Sequence, residues 1–293
     1  MRTAATRVVA AVQSPTLLSI LAKSSAWSLS AYPLGDHDGL AEAEATRIST
    51  WNDGDSSPEV VLVCSPAHLF SARAKWPTAR IVWVVHNGRE RWLLPAEHED
   101  SVAGVICFSE RLRWLCQAGR RPAFHFISPA YEARIEWTWA ENRLWTLRNR
   151  PGTRSDDREN LIAAITQGAS HSFYGQDQPT GFADADTSRA LRGQCSAYVS
   201  ALDRSAGFGL AEHEALAAGV PIIGGWWGDM EGELPAEYWG LQHNPRKMHE
   251  AAKRVASDES AAKELSALGL GYIAEHRSLA RMNETIATLL RKL

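Results

Sequence analysis

The sequence predicts an α/β protein built from two doubly wound, parallel-sheet domains and closed by C-terminal helices. Three observations carry that prediction. At 293 residues the chain is long enough for about two domains of roughly 100 to 200 residues, each with its own core. Short, almost wholly apolar runs alternate with stretches of helical period, the pattern of βαβ units whose strands are covered on both faces. The alternation occurs twice, interrupted by one stretch, Ile127 to Glu141, that fits neither period.

In the first series the strands are Val8 to Val12, Glu59 to Cys64, Ile81 to Val85 and Val102 to Phe108. Thr16 to Lys23, Gly39 to Ile48, Pro66 to Lys75 and Ser109 to Ala118 lie between them at helical spacing, with the start signals Ser65-Pro66 and Ser109-Glu110. The mixed polar and aromatic segment that follows reads as the crossover between domains. The second series runs Leu144 to Leu147 as strand, Arg158 to Gln167 as helix, His171 to Tyr174 and Ala197 to Ala201 as strands, Leu210 to Ala218 as helix and Pro221 to Gly224 as strand. Met248 to Ala256, Ser260 to Leu268 and Ile273 to Lys292 then close the chain as helices, rich in Ala, Leu, Lys and Glu. The expected domains are 1–135 and 136–293, with the last helix packing back on the first domain. Parallel sheets of this kind bind ligands outside the carboxyl ends of their strands, so the chemistry is expected in a cleft between the two.

Composition narrows the function without naming it. With 31 Lys+Arg against 34 Asp+Glu and a net charge of -3, the chain lacks the overall basic field of an obvious nucleic-acid binder. Values of 45% hydrophobic and 22% charged residues exclude disorder and fibrous repeats. Cys64, Cys107, Cys116 and Cys195 show neither zinc-ligand nor disulfide-framework spacing and read as reduced thiols. The apolar start of the chain is broken by Gln13, Ser14 and Pro15, and no run approaches the roughly 20 apolar residues of a membrane span. A cytoplasmic location is the expectation.

The most informative segment runs from Ser205 through Gly207-Phe208-Gly209-Leu210-Ala-Glu-His-Glu214 to Gly219-Val-Pro-Ile-Ile-Gly224. It reads as a tight glycine turn feeding a helix, a glycine stop at Gly219, and a buried strand after Pro221. Gly207 and Gly209 let the backbone approach a ligand, and the free amides of the first helical turn suit a diphosphate. Glu214, one turn further in, could take sugar hydroxyls. Taken alone, the same glycines also fit a plain strand-to-helix turn with Glu214 in solvent.

This segment closely resembles the donor-binding signature of GT-B glycosyltransferases, particularly the large retaining family 4. Those members read Glu-Gly-Phe-Gly, four further residues, then Glu-Ala-Met-Ala-x-Gly-x-Pro-Val-Ile. The resemblance implies that Gly207, Phe208, Gly209 and Leu210 cup the sugar diphosphate and that Glu214 holds the nucleotide ribose. One position departs: the family's first glutamate, eight residues before the second, falls at Ala206. The resemblance therefore carries over neither the donor sugar nor the stereochemical outcome, and Asp203 is a candidate substitute. Asn149-Arg150, Arg154 and Glu159 to Ile165 resemble the start of the family's second domain, which implies that Arg150 and Arg154 neutralise the diphosphate. His86, just past the strand at Ile81 to Val85, is implied to contact donor sugar or acceptor; capping the strand end is the structural alternative.

The resemblance thus implies a metal-independent glycosyltransferase of GT-B architecture. It would use a nucleotide sugar, UDP- or GDP-linked, as co-substrate and need no other cofactor. His86 and Arg150 are the candidate catalytic residues; Arg150, Arg154, Gly207, Phe208, Gly209, Leu210 and Glu214 are the candidate donor-binding residues. The acceptor stays open among glycan, lipid, small molecule and hydroxymethylated DNA base. Trp226 and Trp227 are candidate sugar platforms. Arg111, Arg113, Arg120 and Arg121 fit a solvated helix face better than a phosphate groove. Two alternatives stand beside transfer: a nucleotide-sugar-binding pseudo-glycosyltransferase that lost turnover with Ala206, and a nucleotide-sugar epimerase of the same fold.

Overall fold

Strands buried on both faces pair in parallel, and the apolar runs of this chain do so in two sheets. The computed structural model describes residues 5–11, 15–31, 57–85, 93–131, 135–148, 156–175, 185–200, 209–226 and 232–293. The chain divides into two units, Met1–Ala130 with Arg277–Leu293, and Tyr131–His276.

The first unit contains β1 (Thr6–Ala11), α1 (Pro15–Leu21), β2 (Trp27–Ala31), β3 (Val60–Val63), α2 (Pro66–Lys75), β4 (Arg80–Val85), a 3-10 turn (Ala96–Ser101), β5 (Gly104–Cys107), α3 (Glu110–Gln117) and β6 (Phe124–Phe126). The sheet order is β2-β1-β3-β4-β5-β6, parallel throughout. Val61, Val63, Ile81, Trp83 and Val105 pack with Leu69 of α2 and Leu112 of α3 in one core. Both predicted start signals act as caps: Ser65 Oγ accepts from His68 N at 3.2 Å and Ser109 Oγ from Leu112 N at 2.9 Å.

The second unit contains β7 (Arg143–Arg148), α4 (Asp156–Thr166), β8 (Ser170–Gly175), α5 (Ala185–Gly193), β9 (Ala197–Val199), α6 (Leu210–Ala217), β10 (Ile222–Gly225), β11 (Leu241–Gln242), α7 (Pro245–Ser257) and α8 (Glu259–His276). Its order is β11-β10-β9-β7-β8, again parallel. The last helix, α9 (Leu279–Lys292), belongs to the first unit. It is tied there by Ser24 Oγ to Asn283 Oδ1 at 2.7 Å, Ser128 N to Thr285 Oγ1 at 3.3 Å, and the buried Arg277, whose Nη1 donates to Phe108 O at 3.1 Å.

Three differences from the sequence reading have physical causes. β2, β6 and β11 were not expected, and each is the edge of its sheet. An edge strand is covered less completely and leaves no long apolar run: β2 alternates as Trp-Ser-Leu-Ser-Ala, and the other two are three and two residues long. α5, Ala-Asp-Thr-Ser-Arg-Ala-Leu-Arg-Gly, holds too few apolar residues to display a period. Finally, a break was expected between Leu268 and Ile273, yet α8 runs through Gly269 and Gly271 to His276. Gly269 serves packing: a Cβ there would lie 2.6 Å from Leu216 Cδ2 of α6. The true break is at Arg277, with Ser278 Oγ capping α9 through Arg281 N at 3.3 Å. The helix expected at Gly39 to Ile48 lies outside the described residues. No helix among the described residues is long and apolar enough to cross a membrane.

Candidate functional site

Strand order alone locates the crevice of the second unit. β7 is flanked by β8 on one side and β9 on the other, so the connections diverge there, and ligands of such sheets bind outside the carboxyl ends of the strands at that switch point. β7 ends at Arg148, two residues before Arg150. β9 ends at Val199, and the chain returns through 200–208 into Gly209 and α6. Of the residues singled out by sequence as site candidates, Gly209, Leu210, Glu214 and Trp226 are described, Trp226 being half-buried with its N donating to Gln242 O at 2.9 Å; His86, Arg150, Arg154, Gly207, Phe208, Asp203, Ala206 and Trp227 lie outside the described residues.

α6 has the form expected of it. Gly209 is its N-cap and supplies no side-chain hydrogen bond, so the first-turn amides are not taken up by a capping side chain. At the other end Gly219, with φ of 81°, donates to Leu216 O at 3.0 Å and Val220 N donates to Ala215 O at 2.9 Å. This paired closure needs the left-handed conformation that glycine adopts without strain. Most of the helix is buried, including Glu212 and His213.

Beneath the helix start lies a buried polar floor. Glu212 Oε1 accepts from Ser200 Oγ at 2.9 Å and lies 3.4 Å from the Tyr198 hydroxyl, which itself lies 3.3 Å from Leu147 O. These contacts join the ends of β7 and β9 to the first turn of α6. Burial pushes the Glu212 carboxyl above its ordinary range, and pushes the Tyr198 phenol up as well. Gly224 of β10 keeps room for this floor, since a Cβ there would stand 3.0 Å from Ser200 Cβ. On β7, Thr146 Oγ1 donates to Val199 O at 3.0 Å and lies 2.9 Å from His171 Nε2. Burial lowers His171 to about 4, so it is the neutral ring that donates to Thr146.

Glu214 stands at the rim, its side chain 33% exposed, with Oε2 held 2.9 Å from Arg192 Nη1 of α5. Arg192 is fixed in turn by Ser188, through its hydroxyl at 3.0 Å and its carbonyl at 3.3 Å. Behind the turn, His213 is fully buried, with Nδ1 2.7 Å from Gly209 O and Nε2 3.2 Å from the Tyr272 hydroxyl. Sequence reasoning missed Arg192, Glu212 and His213. The one signal available was a pair of polar residues, Glu212 and His213, inside a helix otherwise made of Leu and Ala apart from Glu214.

The remaining candidates resolve differently. Arg113 of α3 pairs with Glu110 at 2.6 Å, whereas Arg120 and Arg121 lie past the end of α3 and pair with the buried Glu99 and with Asp100 at 2.5 and 2.7 Å, so the expected single helix face does not form and these three guanidinium groups already have carboxylate partners. None of the four cysteines is in a disulfide; Cys64, Cys107 and Cys195 are buried and Cys116 is half-buried. Among the described residues no three His, Cys, Asp or Glu side chains gather to hold a metal ion. Metal independence rests on the resemblance alone, since the chain does contain the Asp-x-Asp form of the other main glycosyltransferase fold, at Asp36–His37–Asp38, Asp53–Gly54–Asp55 and Asp184–Ala185–Asp186. Of these aspartates only Asp186 is described, and it pairs with Arg189 at 2.5 Å on the outside of α5.

No family model matches the chain, and no curated protein matches it. Solved structures do share its fold. Anabaena Alr3699/HepE in complex with UDP and glucose has a TM-score of 0.73 at 12% identity, over 98% of this chain and 100% of that one. A glycosyltransferase from Rickettsia africae has 0.68 at 10%, over 99% and 98%. S. aureus TarM, in a complex containing UDP, has 0.62 at 16%, over 78% and 55%. At these identities the likeness is one of fold, and it is the fold the sequence predicts: two parallel-sheet, Rossmann-like α/β domains with C-terminal helices, the GT-B architecture.

Proposed function

We propose that this chain is a GT-B glycosyltransferase of the family 4 type that moves a sugar from a UDP-linked donor to an acceptor hydroxyl. One observation carries the reading. Every residue that the resemblance assigns to the donor follows β7 or β9 in sequence, the two strands whose carboxyl ends form the switch point of the second unit. The contents of the structural neighbours support a UDP donor: Alr3699/HepE was crystallised with UDP-glucose as well as with UDP.

In this reading the second unit holds the donor and the first presents the acceptor. Arg150, Arg154 and the amides of Gly207 to Leu210 face the diphosphate, while Glu214, steadied by Arg192, takes the ribose hydroxyls. The bond from the anomeric carbon to the diphosphate oxygen breaks, the acceptor oxygen bonds to that carbon, and its proton leaves to base or solvent. Charge builds on the departing UDP, so fixed cations and oriented amides stabilise the transition state more than the ground state. His86 stands on the acceptor side as the candidate that meets sugar or acceptor. In this design the diphosphate is neutralised without a metal.

Transfer is tested by offering UDP- and GDP-sugars with acceptor panels, hydroxymethylated DNA included, and following both product and free nucleoside diphosphate. Glu214→Ala and Arg150→Ala should each weaken UDP binding by about ten-fold; unchanged binding in both would place the pocket elsewhere. Ala206 supports a second reading, a binder without turnover. That protein would bind UDP and release none from any UDP-sugar.

A further inference from the structure

Of the four positions between Gly209 and Glu214, that of His213 is held by more contacts than a variable residue needs. Besides Gly209 O at 2.7 Å and the Tyr272 hydroxyl at 3.2 Å, its ring stacks on Tyr131 with centroids 5.1 Å apart, and Nε2 lies 3.6 Å from Glu233. Tyr272 in turn donates its hydrogen to Glu233. We propose that His213 is a positioning residue for the donor site: it holds the Gly209 carbonyl back so that the Leu210 amide is aimed outward from the start of α6. The inference rests on the reading of Gly207 to Leu210 as the diphosphate loop.

A carbonyl oxygen only accepts, so the nitrogen facing Gly209 O carries the hydrogen, and His213 is protonated at Nδ1. Gly209 O thus accepts twice, from His213 N at 3.0 Å and from Nδ1 at 2.7 Å. The peptide is trans, as all described peptides are, and in a planar trans peptide the carbonyl and the following N–H point in opposite directions. Drawing the Gly209 carbonyl into the helix therefore turns Leu210 N–H out of it, where an anion would sit. Glycine is the residue least able to hold such an orientation by itself, and this N-cap has no side chain to help. Tyr272, Glu233 and Tyr131 complete the device. The stack fixes the ring plane, and the polar pair on the Nε2 side opposes a flip that would set a ring carbon against Gly209 O.

The test separates this role from simple packing by geometry. The side-chain amide of Asn reaches about where Nδ1 sits, and that of Gln about where Nε2 sits. In the full chain, titrated calorimetrically with UDP, His213→Asn should bind within about two-fold of the parent, while His213→Gln and His213→Leu should weaken binding about ten-fold. Asn and Gln variants should melt at similar temperatures. Gln and Leu variants that bind like the parent would overturn the proposal, as would equal losses of affinity and melting temperature in all three. The imidazole ¹⁵N spectrum gives an independent readout: the resonance missing from His213→Asn should report a protonated Nδ1, and a bare Nδ1 would overturn the proposal. A parent chain that binds no UDP would contradict the donor reading instead, while the imidazole spectrum still decides the bond to Gly209.

Discussion

At the scale of single residues, Glu214 and its neighbour Arg192 make the most direct claim on the proposed donor. Arg192 touches Glu214 at 2.9 Å and is 18% exposed, so its effect on a ligand passes through the carboxylate it orients. Arg192→Ala should raise the Kd for UDP by a few-fold, less than the roughly ten-fold of Glu214→Ala, and the double variant should be no weaker than Glu214→Ala. Additive losses in that cycle would mean that Arg192 reaches the nucleotide itself. Glu212 supports a different measurement. Burial raises its pKa above the ordinary 4.5, so the unfolded chain ionises first as pH rises. Stability is therefore lost from about pH 4.5 upward until the folded carboxyl also ionises. Glu212→Gln removes that loss: its melting temperature should match the parent near pH 4 and exceed it at pH 8, and a constant difference across that range would refute the assignment. Glu214 and the glycine turn were legible in the sequence because their spacing is a pattern. Arg192, Glu212 and His213 were not, because a polar residue in a helix reads as solvated until its tertiary partners are known.

At the scale of elements, legibility followed burial. Interior strands such as Val60–Val63, with every residue buried, announce themselves as unbroken apolar runs, and the caps Ser65 and Ser109 mark their helices directly. Three edge strands, β2, β6 and β11, and α5 carry weaker patterns because less of each is covered or the element is very short, whereas the longer edge strand β8 was still legible. Glycines within elements were the hardest to read, since the same residue ends one helix at Gly219 and serves close packing at Gly269. Gly240 belongs to the second kind. A Cβ there would come within 2.3 Å of the Ile222 carbonyl oxygen and 3.0 Å of Leu265 Cδ1. The carbonyl belongs to β10 and cannot rotate away, so the sheet edge between β10 and β11 must shift. Gly240→Ala should cost about 1 to 3 kcal/mol, seen as a lower urea midpoint at unchanged slope. Gly271→Ala, where a Cβ meets nothing within 4 Å, should by contrast be neutral or slightly stabilising through helix propensity.

At the scale of the molecule, the chain leaves the first unit after Ala130 and rejoins it at Arg277. That return was expected from the sequence only as the packing of a last helix, because nothing local in Leu279–Lys292 states which core its apolar stripe will meet. Met282, Ile286 and Leu289 are fully buried and Arg277 is 2% exposed, so α9 completes the first unit as an integral layer. Removing Arg277–Leu293 would uncover the part of the first unit on which those side chains pack and leave Phe108 O without the guanidinium that donates to it. Hydrogen bonds of this segment run to Ser24, Ser25, Phe108, Ser128 and Ala130, all in the first unit. In hydrogen exchange, deletion of Arg277–Leu293 should strip protection from β1, β3, β4 and β5 while β7, β9 and β10 keep theirs. UDP binding by the second unit should survive within a few-fold, since none of the proposed donor contacts is removed. Equal deprotection of both sheets would instead show that the two units stand or fall together.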